Sequence, residues 1–412
     1  HSARACRVVA PAANQYNSLV MATMLSNPAP ISAEEVARST AEFGNSFTLP
    51  GEAYRSAEVF AWEMDHFFER GWVCLGREEE AARPGDYRAL RLGREGILLS
   101  RDAEGKLHAF FNVCRHRGHE LLEPGACANA RAIRCPYHGW VYELDGGLKT
   151  AARFGDVACF DPAGTGLVPV RVETWHGWVF VNADGQAPPL GAWTGDLTRL
   201  LAAHAPGELR IGARSSYEVA ANWKILTENY HECYHCPQIH PQLCRVSPPD
   251  SGLNPPHNGA WLGGSMELAE HAQTMSLDGV RHGEYLPGLN ADQRRLVYYY
   301  GLFPNMLISP HPDYVLTHRL EPLAPDRTRV ECNWLFRPEE IAREGFSANY
   351  AVEFWDMTNR QDWRACESVQ RGANSAGYRQ GPLSEREEMV YRFVSHIAKS
   401  YLTGRYELVS AK

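Results

Sequence analysis

NVCRHRGHELLEPGACANARAIRCPYHGW, residues 112–140, sets out Cys114-x-His116 and, after eighteen intervening residues, Cys135-x-x-His138. Two segments therefore each offer one thiolate and one imidazole. A 2Fe-2S cluster with two Cys on one iron and two His on the other needs this mixed set, because imidazole in place of thiolate raises the reduction potential. Tetrahedral Zn²⁺ also accepts a Cys₂His₂ set. Zinc fingers, however, pair Cys with Cys and His with His and place the His pair on a helix, whereas these segments lie between strand-like runs, so the spacing predicts the cluster. Gly118 and Gly139 follow the ligand positions, where the backbone must turn tightly and amides can approach sulfur. Cys127 reads as a bystander thiol and His119 as a structural histidine.

Around that stretch, DYRALRL (86–92), GILLSR (96–101), HAFFNV (108–113), GWVYEL (139–144) and GWVFVN (177–182) read as strands separated by turns, which predicts an all-β domain over 72–183. Upstream, residues 56–69 carry apolar positions at helical spacing, within a helical segment over 25–71 expected to pack on the second domain. Residues 1–24 contain Arg4 and Arg7 but no acid and lead to two candidate starts, Met21 and Met24. They read as an upstream leader, with a transit peptide as the alternative. The Pro- and Gly-rich stretch at 183–200 reads as a link to a catalytic domain over 195–412. That region mixes strand patterns at 296–303, 314–320 and 328–336 with helical patterns at 222–236 and 346–371, an α+β reading. Residues 246–292 lack periodicity and predict an irregular segment that covers or lines a site.

The whole composition narrows the function. A chain of 412 residues exceeds the usual single-domain size of about 250–300. A net charge of −8 disfavours nucleic acid and anionic membranes as partners, since both need a basic face, and favours a small-molecule substrate. No run of about 18 apolar residues occurs. Eleven cysteines in so long a chain read as reduced thiols or metal ligands, which implies a reducing compartment. Five Lys against thirty-six Arg suggest a GC-rich, bacterial source, so the expected location is the bacterial cytoplasm.

A second constellation lies in ANWKILTENYHECYHCPQIHPQL (221–243). A helix starting near Asn222 and stopping before Pro237 puts Asn229, Glu232 and His235 at successive i, i+3 positions, so that Glu232 reaches His235. A break at Pro237 lets His240 turn back toward the same metal. Two His and one carboxylate form a facial triad that leaves positions open on Fe(II) for O₂. WDMTNRQDWRACESVQRG (355–372) offers Asp356, Asp362 and Glu367 as the third ligand. Cys233-x-x-Cys236 is open to a redox or zinc reading, but such helices begin at the first Cys, and these two close one. His231 reads as a packing residue.

The CRHRG (114–118) and CPYHGW (135–140) strings closely resemble the Rieske fold, and residues from about 55 to 372 resemble the alpha subunit of Rieske non-haem iron oxygenases. In that family an acid-x-x-His-x-x-x-x-His helix supplies two ligands, which fall here on Glu232, His235 and His240; the first position is commonly Asp, so Glu232 is a departure. The family's Asp-x-x-x-Cys-x-x-x-Gln-x-Gly arrangement matches Asp362, Cys366, Gln370 and Gly372, which selects Asp362 over Asp356. Asn229 resembles the family's Asn close to the iron.

The resemblance implies an α+β chain with an all-β Rieske domain and a helix-grip catalytic domain. It also implies a head-to-tail homotrimer in which His138 faces Glu232 of the adjacent subunit. The chain has no G-x-G-x-x-G fingerprint, so electrons from NAD(P)H are expected through a separate flavin/iron-sulfur reductase. ENYHECYHCPQIHP (228–241) looks most like oxygenases that N-demethylate betaine-type quaternary amines, and Trp261, Tyr298, Tyr299, Tyr300 and Phe303 are candidates for a cation cage. Hydroxylation of an aromatic or alicyclic ring and a Rieske electron-transfer protein without oxygenase activity are the alternatives.

Overall fold

The computed structural model describes residues 27–410, so the leader read over 1–24, with Met21 and Met24, lies outside them. Its first sheet is antiparallel, with strands β1 (Val73–Arg77), β2 (Asp86–Leu92), β3 (Glu95–Arg101), β4 (Leu107–Phe111), β5 (Cys127–Asn129), β9 (Pro169–Trp175) and β10 (Trp178–Asn182) in the order β1-β10-β9-β4-β3-β2-β5. A small sheet of β6 (Ile133–Arg134), β7 (Val141–Tyr142) and β8 (Leu148–Thr150) sits between β5 and β9 in the chain. The second large sheet, also antiparallel, contains β11 (Arg210–Val219), β12 (Trp261–Glu267), β13 (Leu296–Leu302), β14 (Met306–Pro310), β15 (Val315–Ala324) and β16 (Arg327–Phe336), ordered β11-β16-β15-β14-β13-β12.

Edge strand β1 is buried along its whole length, which would leave ladder groups without partners. Asn305, in the β13–β14 turn, satisfies one residue of that edge. Its Oδ1 accepts the Cys74 N–H at 3.0 Å and its Nδ2 donates to the Cys74 carbonyl at 2.9 Å. The two large sheets thereby share one apolar core. The stretch at 183–200, read as a link, packs into that core through Ala187, Leu190, Trp193 and Leu197. It forms short helices at Leu190–Thr194 and Leu197–Leu201, and the buried Trp193 donates its indole N–H to the Phe303 carbonyl at 2.8 Å.

The helix expected over 222–236 is shorter and spans Trp223–Tyr230. Asn222 caps its start by accepting the Lys224 N–H at 3.0 Å. Beyond Tyr230 the Glu232 carboxylate accepts the backbone N–H groups of Tyr234 and His235, so those amides bond a side chain instead of extending the helix. The chain resumes as Cys236–Ile239 and Pro241–Val246, each with Pro in its first turn, where the missing N–H is harmless. The Trp223–Tyr230 helix is pinned from below: fully buried Lys224 donates to Glu63 Oε1 at 2.6 Å, and Glu63 also accepts from Trp223 Nε1 at 2.9 Å and from Tyr401.

The second helical pattern is found as Asn349–Ala373, a 25-residue helix packed beside Trp223–Tyr230. A further helix, Glu388–Thr403, which the sequence reading did not include, covers the same unit. Among the described residues no helix is long and apolar enough to cross a membrane.

Candidate active site

The two ligand segments are copies of one turn. In the first, the Cys114 N–H donates to the His119 carbonyl at 2.8 Å and the Gly118 N–H to the Cys114 carbonyl at 3.0 Å. In the second, the Cys135 N–H donates to the Trp140 carbonyl at 2.8 Å and the Gly139 N–H to the Cys135 carbonyl at 3.1 Å. Gly118 and Gly139 have φ of +73° and +72°, the left-handed conformation that costs other residues about 1–2 kcal/mol. These turns bring Cys114, His116, Cys135 and His138 together. Both thiols are buried, and the imidazole rings of His116 and His138 lie 4.5 Å apart toward the rim, with His138 exposed. Tyr142 reaches the Cys114 sulfur with its hydroxyl at 3.2 Å, while Trp140 stacks on His116 at 4.8 Å. The donor set fits a cluster with a buried sulfur side and an exposed imidazole side.

The second group has longer reach. His235 and His240 meet Asp362 of the long helix, with one candidate ligand atom from each lying within 4.8 Å of the others. Both rings are oriented alike. His235 Nδ1 is held by Glu232 and its Nε2 lies 3.4 Å from Asp362 Oδ1. His240 Nδ1 donates to Gln361 Oε1 at 2.8 Å, and its Nε2 lies 2.8 Å from the same Asp362 oxygen. Acceptors on Nδ1 turn both Nε2 atoms toward one point, as outer partners of metal-bound His do. Burial would depress His235, but the Asp362 and Glu232 carboxylates outweigh it and raise its pKa to about 9. Two imidazole nitrogens and a carboxylate oxygen gathered this closely are a donor set that fits Fe(II).

Asp356 is turned elsewhere, bonded to Tyr217 at 2.7 Å and Arg360 at 2.8 Å. Asn229 lines the same cavity as the triad. Cys233 and Cys236 are joined as a disulfide across a Cα separation of 4.9 Å, which corrects the reading of all cysteines as reduced thiols or ligands. The turn after Tyr230 makes the pairing possible, since it brings the two residues within disulfide reach.

Residues 71–161 match the Rieske 2Fe-2S domain, and residues 206–403 match the ring hydroxylating alpha subunit (catalytic domain). The chain is 30% identical to the glycine betaine monooxygenase oxygenase subunit of Chromohalobacter salexigens, with 96% of each chain covered. The chain belongs to the Rieske non-haem iron oxygenases. It is also 32% identical to the carnitine monooxygenase oxygenase subunit of Escherichia coli K12 over 81% of this chain and 86% of that one. A solved quaternary ammonium Rieske monooxygenase, described with carnitine oxidation and inter-subunit electron transfer, superposes with a TM-score of 0.75 at 26% identity, covering 91% of this chain and 100% of that one.

In this Rieske oxygenase the triad opens into a cavity of about 380 Å³ between the long helix, β13 and the 231–254 segment. Its walls include Tyr298, Tyr299, Trp355 and the carboxylates Glu385 and Glu388. The five aromatics expected to form one cage are divided. Tyr298 and Tyr299 line the triad cavity, Tyr298 with its ring stacked on Tyr300 at 5.8 Å, whereas Trp261 and Phe303 line a second one of about 310 Å³. Tyr300 is buried against Trp261, 5.4 Å away. His231 lines both spaces. Two further contributors, Gln361 and Trp355, had no signal of their own in the sequence except that Gln361 directly precedes Asp362 and Trp355 lies two helical turns before it.

Proposed function

We propose that this oxygenase removes an N-methyl group from a betaine-like quaternary or tertiary amine, with electrons from NAD(P)H delivered by a separate flavin/iron-sulfur reductase. The carrying observation is the triad cavity itself, which is lined by Tyr299, Trp355, Tyr298, Glu385 and Glu388 together with Asp250 and Arg386, Glu388 being paired with Arg392 at 2.6 Å. A quaternary ammonium cannot hydrogen-bond and is held by such aromatic faces and nearby negative charge. Glycine betaine and carnitine, named for the relatives, are of that class.

In this reading Cys114, Cys135, His116 and His138 hold the 2Fe-2S cluster, and His235, His240 and Asp362 hold Fe(II). When bound, the cluster stores single electrons and the iron activates O₂ against an N-methyl C–H bond. Glu232 and Gln361 keep each imidazole's Nδ1–H engaged, leaving Nε2 to the metal. Asn229 offers its amide to the same cavity. One oxygen atom enters the C–H bond, and the other leaves as water with two electrons and two protons. The N-hydroxymethyl product then loses formaldehyde.

Electron entry is assigned to a head-to-tail trimer in which His138 of one subunit faces Glu232 of the next. Two exposed aromatic surfaces support the pairing: Tyr137, beside His138, is 51% exposed, and Tyr234, beside Glu232, is 56% exposed. Aromatics left so open are what interfaces tend to cover. Glu232 already touches His235, so a second contact to His138 would connect the two metal sites. The test of the function is formaldehyde release matched to O₂ uptake across a panel of betaines and tertiary amines. Hydroxylated rings without formaldehyde, or no O₂ uptake with any reductant, would contradict it.

A further inference from the structure

His311 stands just beyond β14, in the turn to β15, with its backbone fixed by an N–H bond to the Tyr314 carbonyl at 2.9 Å. The residue is among those lining the triad cavity and is 1% exposed. Among the described residues neither Nδ1 nor Nε2 has a hydrogen-bond partner. The neighbouring polar groups are all engaged. Tyr314, stacked on His311 at 4.3 Å, donates its hydroxyl to the Met275 carbonyl at 2.9 Å and accepts Trp355 Nε1 at 2.8 Å. Ser309 and Tyr230 bond each other at 2.8 Å, and Tyr299 bonds Asn254 at 2.7 Å. His231, which shares the cavity wall, differs: its Nδ1 is engaged by the Thr227 carbonyl at 2.6 Å and its Nε2 edge is packed against Gly301. His311 is therefore the lining histidine with neither nitrogen hydrogen-bonded to a described residue, both being buried beside the cavity.

Leaving a buried donor unpaired is costly, so a ring held this way is suited to a ligand that completes it. A neutral imidazole carries one N–H donor and one acceptor nitrogen, and the methyl-clad face of a quaternary ammonium accepts no hydrogen bond. A carboxylate oxygen on the same molecule is an acceptor that would complete the ring. Burial, with His204 and His318 nearby, keeps the ring uncharged, which lets it lie 5.4 Å from Trp355 without repelling a cation held there.

We propose that His311 is a specificity-determining, substrate-binding residue whose imidazole N–H donates to a carboxylate oxygen of a betaine while the trimethylammonium end lies on the aromatic wall. The proposal rests on the quaternary-amine reading above and adds which end of the substrate this residue selects.

Anaerobic calorimetric titration of the iron- and cluster-loaded protein with glycine betaine and with tetramethylammonium tests it. In His311→Phe, which keeps the stack on Tyr314 but removes the donor, affinity for glycine betaine should fall about tenfold to a hundredfold, with tetramethylammonium unchanged. His311→Gln, which restores an N–H, should recover much of the loss. Should His311→Phe melt early or lose cluster absorbance, His311→Met serves as the donor-free variant. Equal weakening of both ligands, or no change for glycine betaine, overturns the proposal. If the unaltered protein binds neither ligand, the quaternary-amine reading itself fails before any variant is compared, and the His311 assignment falls with it.

Discussion

Cys114, His116, Cys135 and His138 come from two turns of one design, closed by the same pair of backbone bonds and by a glycine at the same place. His235, His240 and Asp362 come instead from an irregular stretch after a short helix and from a helix more than a hundred residues later. The cluster site is written into local backbone geometry. The proposed iron site depends on the Trp223–Tyr230 and Asn349–Ala373 helices packing side by side, the first held by the buried Lys224–Glu63 pair. The first should tolerate distant damage, and the second should not.

The largest expected effect separates the sites outright. Asp362→Ala removes the carboxylate shared by both imidazoles, and we expect mononuclear iron and oxygenase activity to be lost while cluster absorbance and EPR persist. Loss of the cluster as well would break the comparison. Next, Lys224→Met leaves Glu63 buried without its cation and should destabilise the chain by about 3–5 kcal/mol in thermal melting. Iron should be released before the cluster bleaches; simultaneous loss would mean the two units melt as one. Glu232→Gln should lower turnover by about ten- to a hundredfold with iron and cluster content intact, since outer partners of metal-bound His contribute on that scale. Turnover at the unaltered rate would remove Glu232 from the electron route. The smallest effect belongs to the cluster turn: Gly139→Ala, at φ +72°, should cost about 1–2 kcal/mol, read as earlier loss of cluster absorbance on heating. No change there would show that the turn is less constrained than its geometry implies.

The same contrast explains what the sequence disclosed. The paired turns carrying the proposed cluster residues were legible because their spacing and flanking glycines describe a local turn, and β2, β3 and β10 were legible from short strand-like runs between turns. Asp362 needed the family pattern, since nothing local separates it from Asp356; in space Asp356 is bonded to Tyr217 and Arg360 while Asp362 lies beside His235 and His240. The end of the helix at Tyr230 was hidden because a side chain, Glu232, stops it rather than Pro237. The Glu388–Thr403 helix did carry a signal. Met389, Phe393, Ile397 and Tyr401 recur every fourth residue, Ser384 opens with a capping box and Gly404 closes in the left-handed conformation. Its approach through Gly377, Gly381 and Pro382 looks like a tail. His311 was illegible for another reason: between Pro310 and Pro312 it reads as an exposed turn, and only the closure of the β14–β15 hairpin over the cavity buries it.

Iron and acid-labile sulfide analysis, combined with EPR of the reduced protein, tests the two-site account most directly. The account predicts about three irons and two sulfides per chain and the EPR signal of a reduced cluster with mixed Cys and His ligands. Zinc in place of iron, with no sulfide and no such signal, would contradict it.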